Sequence, residues 1–106
     1  MKHNILIKYI PEITKERKAE LIPEITALFE HTTEIPGIRG VRIYPNVVDR
    51  PNRYDLLIEI DMDREALEAY DDSVWHKQWK EQYGSLLEKK AIFDHEEKMI
   101  STRGIN

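Results

Sequence analysis

The chain has 106 residues, which suits one domain and leaves no room for two hydrophobic cores of ordinary size. Hydrophobic residues make up 41% of it and charged residues 34%, a globular rather than a disordered composition. The net charge of −4 without a long Lys/Arg run disfavours nucleic-acid binding, and the absence of cysteine excludes disulfides, thiol catalysis and thiolate metal sites.

The same composition bears on location. A chain without cysteine suits a reducing compartment, so we expect it in the cytoplasm. The apolar run at the N-terminus is broken by Lys8 and Pro11 and has no small-residue cleavage site, so we expect no signal peptide. No segment approaches the roughly 20 apolar residues of a membrane span, so no membrane partner is predicted.

The first predicted element is a strand over His3–Ile10, because β-branched and aromatic residues dominate there and Pro11 ends it. Its alternation puts four residues on one face: His3, Ile5, Ile7 and Tyr9. Leu6 and Ile10 lie on the opposite face, so both faces carry apolar side chains. A sheet covered by helices on one side needs only one apolar face, so this strand indicates a second cover.

A helix is predicted next, with Thr14 as its N-cap. Its apolar residues recur at helical spacing: Leu21, Ile22, Ile25, Leu28 and Phe29. Pro23 cannot donate a backbone hydrogen bond, which costs about 3 kcal/mol inside a helix. We therefore expect a kink, a bulge or a helix start within a turn of Pro23, and an end before the turn at 35–37.

Two further strands are predicted, at Gly40–Tyr44 and Tyr54–Asp61, because apolar and polar residues alternate there. The connection between them is rich in Asp, Asn and Pro, as turns are. Leu56, Ile58 and Ile60 share one face of the second of these strands.

Two short helices follow, with Asp63 and Ser73 as predicted N-caps. The second helix carries an aromatic stripe at spacing i, i+4, i+8: Trp75, Trp79 and Tyr83. Such a stripe is usually core packing, and the alternative is the wall of a ligand cavity between helix and sheet. A short last strand is predicted at 91–93, and residues 96–106 form a polar tail with one apolar pair, Met99 and Ile100.

The predicted element order is β-α-β-β-α-β. This order is typical of the ferredoxin-like α+β fold, in which two helices cover one face of a four-stranded antiparallel sheet. The chain would then consist of a domain at residues 1–95 and a C-terminal tail at residues 96–106. The uncovered sheet face predicts a partner, namely a second copy of the chain paired through its sheet.

Several classes of site lack their motifs. The four histidines have no i, i+4 pair, so we predict no metal site, and the scattered glycines form no phosphate loop, so we predict no cofactor. There is no G-x-S-x-G serine signature. The four clustered aspartates are interpreted as helix caps and solvated charge rather than as a cation site: Asp61, Asp63, Asp71 and Asp72.

Five short motifs follow one another along the chain. They are K-H-x-I-L-I-K at Lys2–Lys8, E-I-P-G-I at Glu34–Ile38, E-A-L-E-A-Y at Glu65–Tyr70, a histidine at His76, and I-F-D at Ile92–Asp94. Their order and spacing resemble the stress-responsive α/β-barrel (Dabb) domains of the dimeric α+β barrel superfamily, over roughly residues 1–95. The resemblance implies a homodimer whose two sheets pack face to face into a barrel.

The same resemblance implies a small-molecule binding protein with a small apolar pocket and no assigned reaction, because function in this family varies more than fold. A plant polyketide cyclase of the family has a catalytic Tyr and His that match Tyr70 and His76, and a pocket His that matches His3. His76 would be the base of an aldol condensation, and Tyr70 would hydrogen-bond the enolate oxygen. Five residues would line the pocket for a small hydrophobic ligand: Ile5, Ile7, Ile58, Ile60 and Trp79.

Other interpretations stay open. Tyr70 and His76 could hydrogen-bond one another and support the helix junction without any activity. A haem-degrading monooxygenase has the same superfamily fold, but no histidine here stands in the context expected of an axial ligand. Trp75 stands where the family usually has a small residue, so its indole is expected to narrow or reshape the pocket mouth.

Overall fold

The structure, a computed structural model, describes residues 1–97. Its strands and helices follow in the order β1 (Lys2–Tyr9), α1 (Lys15–Glu30), β2 (Ile38–Pro45), β3 (Leu56–Met62), α2 (Leu67–Asp71), α3 (Val74–Tyr83) and β4 (Leu87–His95). Short 3-10 helices follow α1, precede α2 and follow α3, at His31–Glu34, Arg64–Ala66 and Gly84–Leu86. The predicted ferredoxin-like α+β fold is confirmed. The predicted apolar pair Met99 and Ile100 lies outside the described residues.

The four strands form one antiparallel sheet in the order β2-β3-β1-β4. β1 is therefore central, β4 lies at an edge, and Ile5 stands opposite both Ile58 and Ile92. Within residues 1–97 no helix is long and apolar enough to cross a bilayer.

The core lies between the helices and one face of this sheet. Alternate residues of β1 and β3 supply the sheet side, because successive side chains of a strand point to opposite faces. The helices supply aromatic and aliphatic residues, among which the rings of Phe29 and Trp79 meet edge to face with centroids 5.0 Å apart. The largest fully buried side chains are Trp79, Tyr70, Phe29, Ile5, Ile7, Leu21, Ile25, Ile58, Ile60 and Met62.

α1 begins where the sequence predicts, since the backbone N–H of Arg17 donates to Thr14 Oγ1 at 3.1 Å. The predicted helix start at Pro23 is wrong, because α1 runs over Lys15–Glu30 with Pro23 inside it, whereas the predicted kink stays a prediction. Pro23 and Ala19 are both exposed. Water can therefore bond the Ala19 carbonyl that Pro23 leaves without a donor, so the helix does not have to end at Pro23.

Two other local predictions differ from the structure. Asp63 caps no helix with its side chain and instead accepts from Arg39 Nη1 at 2.6 Å. β4 has nine residues rather than three, and most of its side chains are exposed. Its length comes from backbone pairing with β1, from Lys2 to Tyr9, and such pairing leaves no apolar period in the sequence.

Candidate functional site

A cavity of about 250 Å³ opens between the β4 edge of the sheet and the helices α2 and α3. It is lined by His3, Ile5, Leu67, Tyr70, Asp71, His76, Trp79, Lys90, Ile92 and Asp94. The structure thus brings together five residues named from the sequence: His3, Ile5, Tyr70, His76 and Trp79. Polar and charged groups share the lining with apolar ones, so the cavity is more polar than the pocket that the sequence predicts.

Three residues of the predicted pocket wall lie elsewhere. Ile7, Ile58 and Ile60 are completely buried in the core and do not line the cavity. Ile58 and Ile60 belong to β3, which β1 separates from the edge where the cavity opens. Their place in the wall is instead taken by Leu67 and Ile92.

Trp75 does not narrow the cavity mouth. Its indole stacks on the imidazole of His31, with ring centroids 4.5 Å apart and planes inclined by 16°. It does not belong to the cavity lining, because it packs toward the end of α1. The departure from the family pattern at this position therefore leaves the cavity open.

Tyr70 lies on the last turn of α2, and its ring contacts two imidazoles. Its ring centroid lies 4.9 Å from that of His76 and 5.4 Å from that of His3, the latter in an edge-to-face arrangement. The side chain is 1% exposed, and its hydroxyl has no hydrogen-bond partner among the described residues. The direct Tyr70–His76 hydrogen bond of the purely structural interpretation is therefore not present.

His76 is positioned by the N-terminus of α3. Ser73 Oγ caps this helix by accepting from the His76 backbone N–H at 3.2 Å, as the sequence predicts. Nδ1 of His76 lies 2.9 Å from the carbonyl oxygen of Asp71, which only accepts, so Nδ1 carries the hydrogen. In the neutral ring Nε2 then holds the lone pair, which makes it the nitrogen available to take a proton.

His3 is 5% exposed, and its Nδ1 is hydrogen-bonded to the carboxylate of Asp94. β1 and β4 pair so that these two residues stand directly opposite each other. Asp94 is a site residue that the sequence reasoning missed. The sequence does contain an indication of its role, because Ile92 and Asp94 alternate along β4 as their partners Ile5 and His3 do along β1. That pattern can be interpreted only once the pairing of β1 with β4 is known.

Comparison with protein families agrees with this architecture. The model of the Stress responsive A/B Barrel Domain, Dabb, matches residues 1–97. The chain belongs to the Dabb family. Among curated proteins, none matches this Dabb chain significantly.

Solved structures share the fold of this Dabb domain. A protein from Arabidopsis thaliana is 17% identical with a TM-score of 0.73, and the match covers 94% of this chain and 97% of that one. A dimeric protein of unknown function from Bacteroides fragilis is 16% identical with a TM-score of 0.73, covering 90% and 93%. The hydroxynitrile lyase of Passiflora edulis is 12% identical with a TM-score of 0.68, covering 92% and 94%. At these identities the likeness establishes the fold.

Burial makes the Tyr70 phenol of this Dabb domain hard to ionise. Removal from water, assisted by the nearby Asp71 carboxylate, raises the pKa of Tyr70 well above its ordinary value, and burial raises the pKa of Tyr9 in the same direction. The Tyr70 hydroxyl therefore stays protonated at neutral pH, and it can donate a hydrogen bond but cannot serve as a base.

A measurement of stability against pH checks that the Tyr70 phenol is desolvated in the folded chain. Below about pH 10 the phenol is neutral in both the folded and the unfolded chain, so its contribution is constant. Above that pH the unfolded chain loses a proton that the folded chain keeps, so the free energy of unfolding should fall. We expect a shallower fall in Tyr70→Phe than in the wild type in urea melts from pH 8 to 11. Equal slopes would show that the phenol is not desolvated.

Proposed function

We propose that this protein binds a small carbonyl compound in the cavity and moves a proton at the carbon next to its carbonyl group. The observation that carries the proposal is the buried Tyr70 hydroxyl, which has no partner among residues 1–97 and belongs to a ring that contacts two imidazoles. A buried hydroxyl without a partner costs about 1–3 kcal/mol, and a ligand oxygen would remove that cost.

The groups of the site have complementary roles in such a reaction. Nε2 of His76 removes a proton from the carbon, and the electron pair of the C–H bond moves onto the carbonyl oxygen as an enolate. The Tyr70 hydroxyl donates a hydrogen bond to that oxygen as its negative charge develops. His3, oriented by Asp94, packs edge to face with the Tyr70 ring and borders the same space.

The enolate has two outcomes in this scheme. It recovers a proton from His76, or its carbon attacks a second carbonyl of the same molecule in an intramolecular aldol condensation. The second outcome is the reaction of olivetolic acid cyclase. Tyr70, His76 and His3 of this chain resemble the site residues of that enzyme in type and order. A cavity of about 250 Å³ suits a small substrate, since typical ligand sites have about 300–1,000 Å³.

The hydroxynitrile lyase of Passiflora edulis, which shares the fold, favours a second candidate. The same imidazole could remove the hydroxyl proton of a cyanohydrin; its C–C bond then breaks, a carbonyl forms and cyanide leaves with the electron pair. The Tyr70 hydroxyl would bond the same oxygen in this reaction. Release of cyanide from mandelonitrile distinguishes the two candidates.

Hydrogen exchange tests the main proposal. The protein in deuterium oxide should speed the replacement of hydrogen by deuterium next to the ketone of heptan-2-one, followed by proton NMR. A rate equal to that in buffer with an equal concentration of free imidazole would contradict the proposal.

We also propose that the protein acts as a homodimer joined through the open sheet face. One cross-strand row of this face is apolar on three strands and aromatic on the fourth: Tyr44, Leu57, Leu6 and Ala91. Phe93 on the same face is 64% exposed, and no helix within residues 1–97 covers this face. The Bacteroides fragilis structure, which is dimeric, supports this assembly.

Sedimentation tests the dimer. We expect the wild type to sediment as a dimer at micromolar concentration and Leu6→Glu as a monomer, because a charge in the central row would be buried without a partner. Val47→Glu is the matched control, since Val47 is 94% exposed on a loop. A wild-type monomer, or a Leu6→Glu dimer, would count against the sheet-to-sheet assembly.

A further inference from the structure

One end of the cavity carries a positive charge that the proposed reaction does not use. Lys90 lies on β4 opposite Ile7, whereas Asp94 lies opposite His3. Lys90 and Asp94 are four positions apart, or about 13 Å along an extended strand. Alternation puts both side chains on the helix-covered face, and both line the cavity. The cavity is therefore acidic near the imidazoles and basic at its far end.

Lys90 has no ion pair among residues 1–97, in contrast to Lys2 of β1 and Lys18 of α1. Lys2 lies 3.6 Å from a Glu59 oxygen and Lys18 lies 3.0 Å from an Asp55 oxygen. No carboxylate of residues 1–97 pairs with Lys90. Its ammonium group is free to bind an anion that enters the cavity.

A second cavity of about 340 Å³ continues from the first along the groove between α3 and β4. The two cavities share Trp79 and Lys90, so Lys90 stands at their junction. Lys80 and Lys89 also belong to the lining of the second cavity, and Glu88 is the one carboxylate of that lining. Positive charge therefore exceeds negative charge on this side of the junction.

We infer that the substrate of the site is an anionic carbonyl compound of the oxo-acid type, whose carboxylate pairs with Lys90 while its ketone lies beside Tyr70 and His76. The inference rests on the proposed function, from which it takes the position of the ketone. The reverse orientation would bring the carboxylate against Asp71 and Asp94, which repel it. Charge thus selects both the substrate class and its direction in the cavity.

Two probes of matched size test the inference. 6-Oxoheptanoate and heptan-2-one share the methyl ketone and the seven carbons, and only the first carries a carboxylate. In NMR titrations of the wild type at low salt we expect 6-oxoheptanoate to bind about 10-fold more tightly, an ion-pair effect that rising salt should reduce. Lys90→Met should abolish this difference and leave the affinity for heptan-2-one unchanged. Lys77→Met is the matched control, since Lys77 is an exposed lysine of α3 that lines neither cavity, and it should keep the preference.

Equal affinity for the two probes in the wild type would overturn the inference, as would an unchanged preference in Lys90→Met or a lack of binding of 6-oxoheptanoate at millimolar concentration. The hydrogen-exchange assay separates this result from the proposed function. Lys90-dependent binding without hydrogen exchange would support the anion site and contradict the proton transfer. Hydrogen exchange of heptan-2-one without any binding preference for 6-oxoheptanoate would support the proton transfer and contradict the anion site.

Discussion

Replacement of His76 by alanine is expected to lower the rate of hydrogen exchange next to the ketone of heptan-2-one by about 100- to 10,000-fold, the usual contribution of a general base. The Nδ1 hydrogen bond to the Asp71 carbonyl leaves Nε2 as the accepting nitrogen. His3 is the other imidazole of the cavity lining among residues 1–97, and its Nδ1 is bonded to Asp94. Added imidazole should restore part of the rate, because it can enter the space that the variant vacates.

The control for this variant is His95→Ala, which removes an exposed imidazole outside the cavity and should leave exchange unchanged. The free energy of unfolding of His76→Ala should change by less than about 1 kcal/mol, since the ring is partly exposed and makes one hydrogen bond. If stability fell strongly while exchange persisted, His76 would be a structural residue of the helix junction.

Replacement of Trp79 by alanine is expected to lower the free energy of unfolding by about 3–5 kcal/mol, the range for removing a buried tryptophan. Its side chain is 2% exposed and packs on Phe29 at 5.0 Å and on Tyr83 at 5.5 Å between ring centroids. Such a loss is a large part of the total stability of a domain of this size. Urea unfolding followed by circular dichroism measures it.

Trp75→Ala is the matched control for Trp79→Ala, because both remove an indole from α3. Trp75 is only partly buried and stacks on the exposed His31, so we expect a loss of about 1 kcal/mol. Similar losses in the two variants would mean that Trp79 does not anchor α3 to the core.

The sequence by itself was sufficient for the features that depend on neighbouring residues. The alternation in β1 and β3, the Thr14 and Ser73 caps and the order of elements are all local patterns, and each is present in the structure. Together they identify the ferredoxin-like fold, because an element order with one open sheet face leaves few alternative topologies. The family motifs also named His3, Tyr70 and His76, which the fold brings around one cavity.

Other features depended on which surfaces meet, and only the tertiary structure decided them. Pro23 is tolerated because its side of α1 faces water, and β4 is long because β1 pairs along its full length. The cavity wall follows the edge where the helices stop covering the sheet. Ile58 and Ile60 are therefore in the core, whereas the polar residues Lys90 and Asp94 of the edge strand line the site. Strand neighbours and helix cover are long-range relations, so a short apolar period cannot encode them.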